Sequence, residues 1–217
     1  MADRAAAAER LCDKGIVAVV RARSCEQLVD VARALLSGGV DCIEITMTTP
    51  NALEVISNCR EAVGRKALIG VGSVLSDSVA RQAIAAGAQF VVSPVFKGEI
   101  ISAAHRADVP CVPGAFSPTE ILSATDAGAD LVKVFPGGQF GPTYLKDLLA
   151  PMPHLKLTPT GGVNLDTAGD WIAAGAVTLG VGSALITKQA LNEGNLAEIE
   201  HLAKQYVQIV AEARTSG

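Results

Sequence analysis

The chain has 217 residues, 49 % hydrophobic but only 4 % aromatic, with 18 Lys and Arg against 22 Asp and Glu for a formal charge of −4. This composition excludes a disordered, collagen-like or disulfide-stapled protein and predicts one globular domain spanning 1–217. No run of Lys or Arg is present to neutralise nucleic-acid phosphates or to hold an anionic membrane, so an anionic partner has to be a small molecule met by local chemistry.

Residues 1–11 carry Arg4, Glu9 and Arg10 and are too polar for a secretory leader; they read as an N-terminal helix. The first apolar run, Ile16 to Val20, reads as a strand that ends at Arg21. Gly39 then leads into a second strand ending at Thr46, and Thr49-Pro50 reads as the start of a helix. Ala67 to Val71 reads as a third strand, closed by Gly70-Val71-Gly72-Ser73. Gly87 precedes a fourth strand closed by Ser93-Pro94, and Cys111 to Pro113 reads as a fifth. In Ser117-Pro118-Thr119-Glu120 the serine caps a helix, the proline takes its first position and the glutamate completes a capping box. Gly128 leads into a sixth strand through Lys133, and Gly141-Pro142 opens another helix. Leu155 to Leu157 reads as a seventh strand and Leu179 to Val181, after Gly175, as an eighth. The last segment places Leu196, Ile199, Leu202, Tyr206 and Ile209 on one helical face.

Gly39, Gly87, Gly128 and Gly175 recur after 48, 41 and 47 residues, each ending a helix before a short strand that is apolar on both faces. Eight strand-helix units of about 27 residues match the compact end of a (β/α)8 TIM barrel, an α/β fold, here with the additional N-terminal helix. A doubly wound sheet is the rival, but no G-x-G-x-x-G follows the first strand. The five cysteines, Cys12, Cys25, Cys42, Cys59 and Cys111, are scattered without C-x-x-C or nearby histidines. They read as reduced core thiols of a cytoplasmic protein, and no 18-residue apolar run offers a membrane span.

In such a barrel the chemistry sits where strands end. Alternation turns Glu44 and Thr46 inward and Ile43 and Ile45 outward toward apolar helices. A buried carboxylate has to be paired, hydrogen-bonded or proton-sharing. By the same rule Lys133 and Phe135 face the barrel interior, where desolvation lowers the pKa of an amine and lets it attack a carbonyl to form a Schiff base. The alternative is structural: the two groups form an ion pair, or the lysine ammonium snorkels outward. Gly161 and Gly162 after the seventh strand, and Gly182 and Ser183 after the eighth, offer backbone N–H groups for a phosphate; a purely structural need for tight turns is the competing reading. Arg21, Ser73 and Pro94 lie at strand ends, where contact with a ligand is open to the first two and rim shaping to the proline. His105, His154 and His201 do not converge, and no motif demands a metal or a nucleotide cofactor.

Beyond these single positions, eight segments occur in one order. They are Gly15 to Arg21, Ile43 to Thr46, Gly70 to Val74, Val92 to Pro94, Val112 to Gly114, Val132 to Pro136, Pro159 to Val163 and Gly180 to Ser183. Together they resemble the class I aldolases that cleave 2-keto-3-deoxy-6-phosphogluconate (KDPG), a family that also handles 4-hydroxy-2-oxoglutarate (KHG) and the phosphogalactonate analogue. The resemblance implies a homotrimeric enzyme that releases pyruvate and glyceraldehyde 3-phosphate with neither metal nor cofactor. It implies Lys133 as the Schiff-base lysine, Glu44 as the proton shuttle, and Gly161, Gly162, Gly182 and Ser183 around the phosphate. Arg21, Thr46, Thr48, Ser73, Pro94 and Phe135 would surround the substrate. The family usually reads Glu-[Ile/Val]-Thr-Leu-Arg, the arginine gripping the substrate carboxylate, whereas here Thr48 stands at that arginine. The change removes a charge-assisted contact of about 1.5–3 kcal/mol, which Lys97 or Arg21 would have to replace. Ser73 also replaces a frequent threonine, and Val95-Phe96-Lys97 a usual glycine. An isomerase or synthase using Glu44 as base without a covalent intermediate, and a non-catalytic sugar-phosphate binder, are the competing functions.

Overall fold

In the computed structural model, which describes residues 3–21 and 25–215, the four repeated glycines end helices as their spacing predicts. Gly39, Gly87, Gly128 and Gly175 have φ of 91°, 108°, 91° and 100°, the left-handed region that costs glycine no Cβ clash. The elements run α1 (Arg4–Lys14), β1 (Ile16–Val20), α2 (Cys25–Ser37), β2 (Cys42–Thr46), α3 (Ala52–Val63), β3 (Leu68–Gly72), α4 (Asp77–Ala85), β4 (Val91–Val92), α5 (Gly98–Arg106), β5 (Cys111–Val112), β6 (Gly114–Ala115), α6 (Pro118–Asp126), β7 (Val132–Val134), α7 (Pro142–Leu149), β8 (Leu157–Pro159), α8 (Ala168–Ala173), β9 (Leu179–Val181), α9 (Lys188–Glu193) and α10 (Leu196–Thr215).

Every strand pairing is parallel, in the orders β5-β4-β3-β2-β1-β9 and β6-β7-β8. Between β5 and β6 stands Pro113, which has no N–H for a ladder; β5 pairs with β4 and β6 with β7. At the other end Thr160 bridges to Gly180, and the Val177 amide donates to the Leu157 carbonyl at 3.0 Å. The result is an α/β fold with a curled parallel sheet. Its convex face carries Ile43, Ile45, Val132 and Val134 into one cluster with helix residues Ile56, Ile121, Leu145 and Trp171. Its concave face gathers Val17, Cys42, Leu68, Phe90, Val112 and Leu131, into which α1 inserts Ala7 and Leu11. Arg4 pairs with Asp130 and Arg10 with Asp41, each at 2.8 Å, holding α1 against the strand starts.

Several boundaries differ from the sequence expectation. The seventh predicted strand, Leu155 to Leu157, is observed as Leu157–Pro159. Proline in a strand argues against extension, but the Thr160 amide donates to Val134, so Pro159 points its missing donor toward β9, which β8 meets without a full ladder. The fifth predicted strand continues past Pro113 as β6, where Gly114 lies so close to the Pro94 backbone that a Cβ would come within 2.4 Å of it. Thr49-Pro50 does not open α3; the helix starts at Ala52, with Asn51 at its N-cap in a left-handed conformation. The capping box at Ser117 and Glu120 forms as predicted, and Pro142 begins α7 after Gly141. Cys42, Cys59 and Cys111 are buried thiols outside any disulfide and Cys12 a half-buried one, while the side chain of Cys25 lies outside the described residues. No described helix is long and apolar enough to cross a membrane.

Candidate active site

The period-two pattern of β2 and β7 delivers Glu44 and Lys133 to the concave side, 3 % and 6 % exposed. Both line one cavity with Val92, Val112, Thr158 and Thr178. Burial pushes the Glu44 carboxyl above the usual carboxylate range, and the positive charges of Lys133 and Arg21 pull it partly back. Among the described residues no hydrogen bond or direct ion pair joins Glu44 to Lys133, so the structural ion pair is not what holds them there. Nor does the lysine snorkel into solvent: its Nζ sits 5.0 Å from the centroid of the Phe135 ring, within cation–π range. The site therefore holds a buried amine and a buried carboxyl on the wall of one small cavity of about 20 Å³, with no direct bond between them among the described residues.

Two glycines on β3 make room for side chains of this site. A Cβ at Gly70 would fall within 2.4 Å of the Phe90 ring, and one at Gly72 would fall 1.8 Å from Glu44 Oε1. The carboxylate lies directly over the bare Cα of Gly72. Gly72→Ala should accordingly displace Glu44 and lower turnover about tenfold or more, because misplacement of a reacting group by about 1 Å costs up to 10²-fold. Steady-state kinetics on the variant, with circular dichroism to verify folding, tests this; unchanged turnover would show that the close approach does not position Glu44.

A second cavity of about 370 Å³ adjoins the first and shares Thr160 and Gly180 with it. Arg21, Phe135, Gly161, Gly162, Gly182 and Ser183, all expected site residues, line it together with Lys188. Gly161 and Gly162 are both left-handed, with φ of 87° and 76°, and a Cβ on Gly162 would lie 2.4 Å from Gly138 Cα. Only glycine fits where these two backbone turns touch. A larger, open cavity of about 890 Å³ lies at the strand starts beneath α1, but it contains none of the expected site residues, and Asp130 on its wall is already paired with Arg4 and His105.

The remaining expected residues stand apart from both cavities. Thr46 is buried, and its hydroxyl lies 2.8 Å from that of exposed Thr48, so the residue standing at the family arginine is hydrogen-bonded to its neighbour. Ser73, just after β3, is in a left-handed conformation, φ 60°, unusual for a residue with a Cβ. Pro94 packs against Gly114 rather than lining a cavity. Of the two cations considered as replacements for the arginine, Arg21 is at the site, whereas Lys97 donates to the Leu75 carbonyl at 2.9 Å. Sequence reasoning missed Thr158, Thr178 and Lys188. Thr158 stands opposite Lys133 in the β7–β8 register, and the buried Thr178 hydroxyl has no hydrogen-bond partner among the described residues. Once β8 is extended to Pro159, the alternation of Thr158 with Thr160 identifies the inward pair.

The chain is similar to known proteins over most of its length. The aldolase profile described as KDPG and KHG aldolase matches residues 8–202. A 2-dehydro-3-deoxy-phosphogluconate aldolase of Treponema pallidum (strain Nichols) is 37 % identical over 196 residues, 90 % of this chain and 93 % of that protein. Among solved structures, one described as native KDPGal superposes with a TM-score of 0.86 at 30 % identity, covering 92 % of this chain and 96 % of the other. A KDPG aldolase from Legionella pneumophila, with pyruvate captured as a covalent carbinolamine intermediate, superposes with a TM-score of 0.85 at 26 % identity, covering 91 % and 96 %.

Proposed function

The chain belongs to the KDPG and KHG aldolase family, and we propose that it is a Schiff-base carbon-carbon lyase that reversibly cleaves 2-keto-3-deoxy-6-phosphogluconate to pyruvate and glyceraldehyde 3-phosphate. The observation that carries this reading is the burial of Lys133 and Glu44 on one cavity that shares Thr160 and Gly180 with the glycine-lined one. A covalent pyruvate adduct in a relative of the same fold supports it.

In the mechanism, Lys133 Nζ, as the free amine, adds to the C2 ketone to give a carbinolamine, which loses water to become an iminium ion. Glu44, ionised, takes the C4 hydroxyl proton through a water. The C3–C4 bond breaks, its electron pair passes to the iminium nitrogen, and the aldehyde departs while an enamine of pyruvate remains on the lysine. Protonation at C3 and hydrolysis of the imine return the amine and release pyruvate. The iminium is the electron sink, so the step needs no divalent ion. Phe135 covers the amine; Arg21 receives the carboxylate in place of the arginine that Thr48 replaces; and Gly161, Gly162, Gly182 and Ser183 hold the phosphate. Thr46, Thr48, Ser73 and Pro94, which line neither cavity, take no direct part in this scheme.

The same residues suit a second 2-keto-3-deoxy acid, the phosphogalactonate analogue, and the likeness to the KDPGal structure favours keeping it as an alternative. A coupled assay for pyruvate release with KDPG, its galactonate epimer and 4-hydroxy-2-oxoglutarate tests the assignment. Release from KDPG with the highest kcat/KM is expected; preference for the epimer would move the substrate while keeping the mechanism, and release from none would remove both. We further place the catalytic unit in a single (β/α)8 barrel, closed through the Thr160–Gly180 bridge and preceded by α1 as an additional helix, assembled as a homotrimer in the cytoplasm.

A further inference from the structure

We propose that Lys188 is the specificity-determining cation at the phosphate end of the site, selecting phosphorylated over unphosphorylated 2-keto acids. The inference rests on the aldolase reading and assigns a role to a residue outside the motifs that carry the family resemblance. Among the described residues lining the 370 Å³ cavity, only Arg21 and Lys188 are charged, and no carboxylate faces them. The two cations are not equivalent. Arg21 acts electrostatically on buried Glu44 and so lies toward the carbon-carbon chemistry, whereas Lys188 is not among the groups that act on Glu44. Lys188 shares its wall of the cavity with Gly182, Ser183, Ala184 and Ile186, on the segment that carries the second phosphate-type turn.

Its ammonium is also free to serve. Among the described residues Lys188 makes no ion pair and no side-chain hydrogen bond, in contrast to Lys97, bonded to the Leu75 carbonyl, and Lys204, paired with Glu200. Thr187, not Lys188, caps α9 by accepting from the Ala190 amide, so the lysine has no structural duty at that helix start. Backbone amides at glycine turns match the geometry of a phosphate but carry only partial charge, whereas the ligand carries about −1.5 to −2 at neutral pH. A mobile ammonium on a four-carbon stem at the cavity edge supplies the missing whole charge.

Lys188→Gln tests this at an exposed position where the loss of the stem and charge leaves the fold undisturbed. The ratio of kcat/KM for 2-keto-3-deoxy-6-phosphogluconate to that for 4-hydroxy-2-oxoglutarate should fall about tenfold or more, through KM for the phosphorylated substrate, and Lys188→Arg should restore most of it. Rising salt should shrink the wild-type ratio and leave that of Lys188→Gln nearly flat. An unchanged ratio, or an equal loss on both substrates, overturns the proposal. Should the wild-type protein cleave neither substrate, the aldolase reading fails by itself, and calorimetry with inorganic phosphate still decides the role of Lys188: weaker phosphate binding in Lys188→Gln supports it, and equal binding rejects it.

Discussion

Lys133→Arg should abolish turnover, by on the order of 10⁴-fold or more, although it keeps the positive charge. A guanidinium stays protonated in proteins and cannot add to the C2 ketone. Lys133→Met, which keeps the length and apolar stem, should be equally inactive. Lys133 is 6 % exposed and held between β6 and β8, whose pairings fix its register against Gly114 and Thr158, and among the described residues lining its cavity it is the only lysine. The pair of variants separates this enzyme from an isomerase that uses Glu44 alone: there the lysine contributes charge, and Lys133→Arg would retain much of the activity. Steady-state pyruvate release, read beside circular dichroism of each variant, is the measurement.

Glu44→Gln should depress turnover by about 10²–10⁴-fold while leaving imine formation with pyruvate intact. The glutamine fills the same place over Gly72 but cannot accept the C4 hydroxyl proton. The pH profile offers an independent readout. Burial raises the Glu44 pKa and Lys133 and Arg21 only partly oppose it, so the protonated, inactive form persists to higher pH than for an ordinary glutamate. Turnover in the wild type should therefore fall, as pH drops, along an acid limb displaced upward from the normal glutamate range; the residual activity of Glu44→Gln should lack that limb. Identical limbs in the two proteins would remove Glu44 from the proton transfer.

The parts of this site readable in the sequence are those set by local chemistry. Alternation in Cys42 to Thr46 and Leu131 to Phe135 turns Glu44 and Lys133 to the same side because the other face has to meet apolar helices, and Ile43, Ile45, Val132 and Val134 do so. The recurring glycines work for a similar reason: helix ends at Gly39, Gly87, Gly128 and Gly175 need a left-handed residue. What escaped reading depends on contacts between distant segments. Pro159 looks like a strand breaker until the incomplete pairing of β8 with β9 is known, and with that strand cut short Thr158 is lost from the inner face. The closeness of Gly72 to Glu44 follows from the β2–β3 register, and the choice between Arg21 and Lys97 from which of them finds a local acceptor. Lys188, in a short helix with no motif around it, becomes visible only when the loops after β8 and β9 enclose a common cavity.

The central claim is that the amine of Lys133 bonds covalently to the keto acid. Incubating the wild-type protein with pyruvate, reducing with borohydride and mapping the digested peptides tests it without dependence on the second substrate fragment. The expected result is a single reduced pyruvate adduct on the peptide containing Lys133. An adduct on another lysine, or an unmodified chain under conditions where the protein is folded and releases pyruvate from substrate, would contradict it.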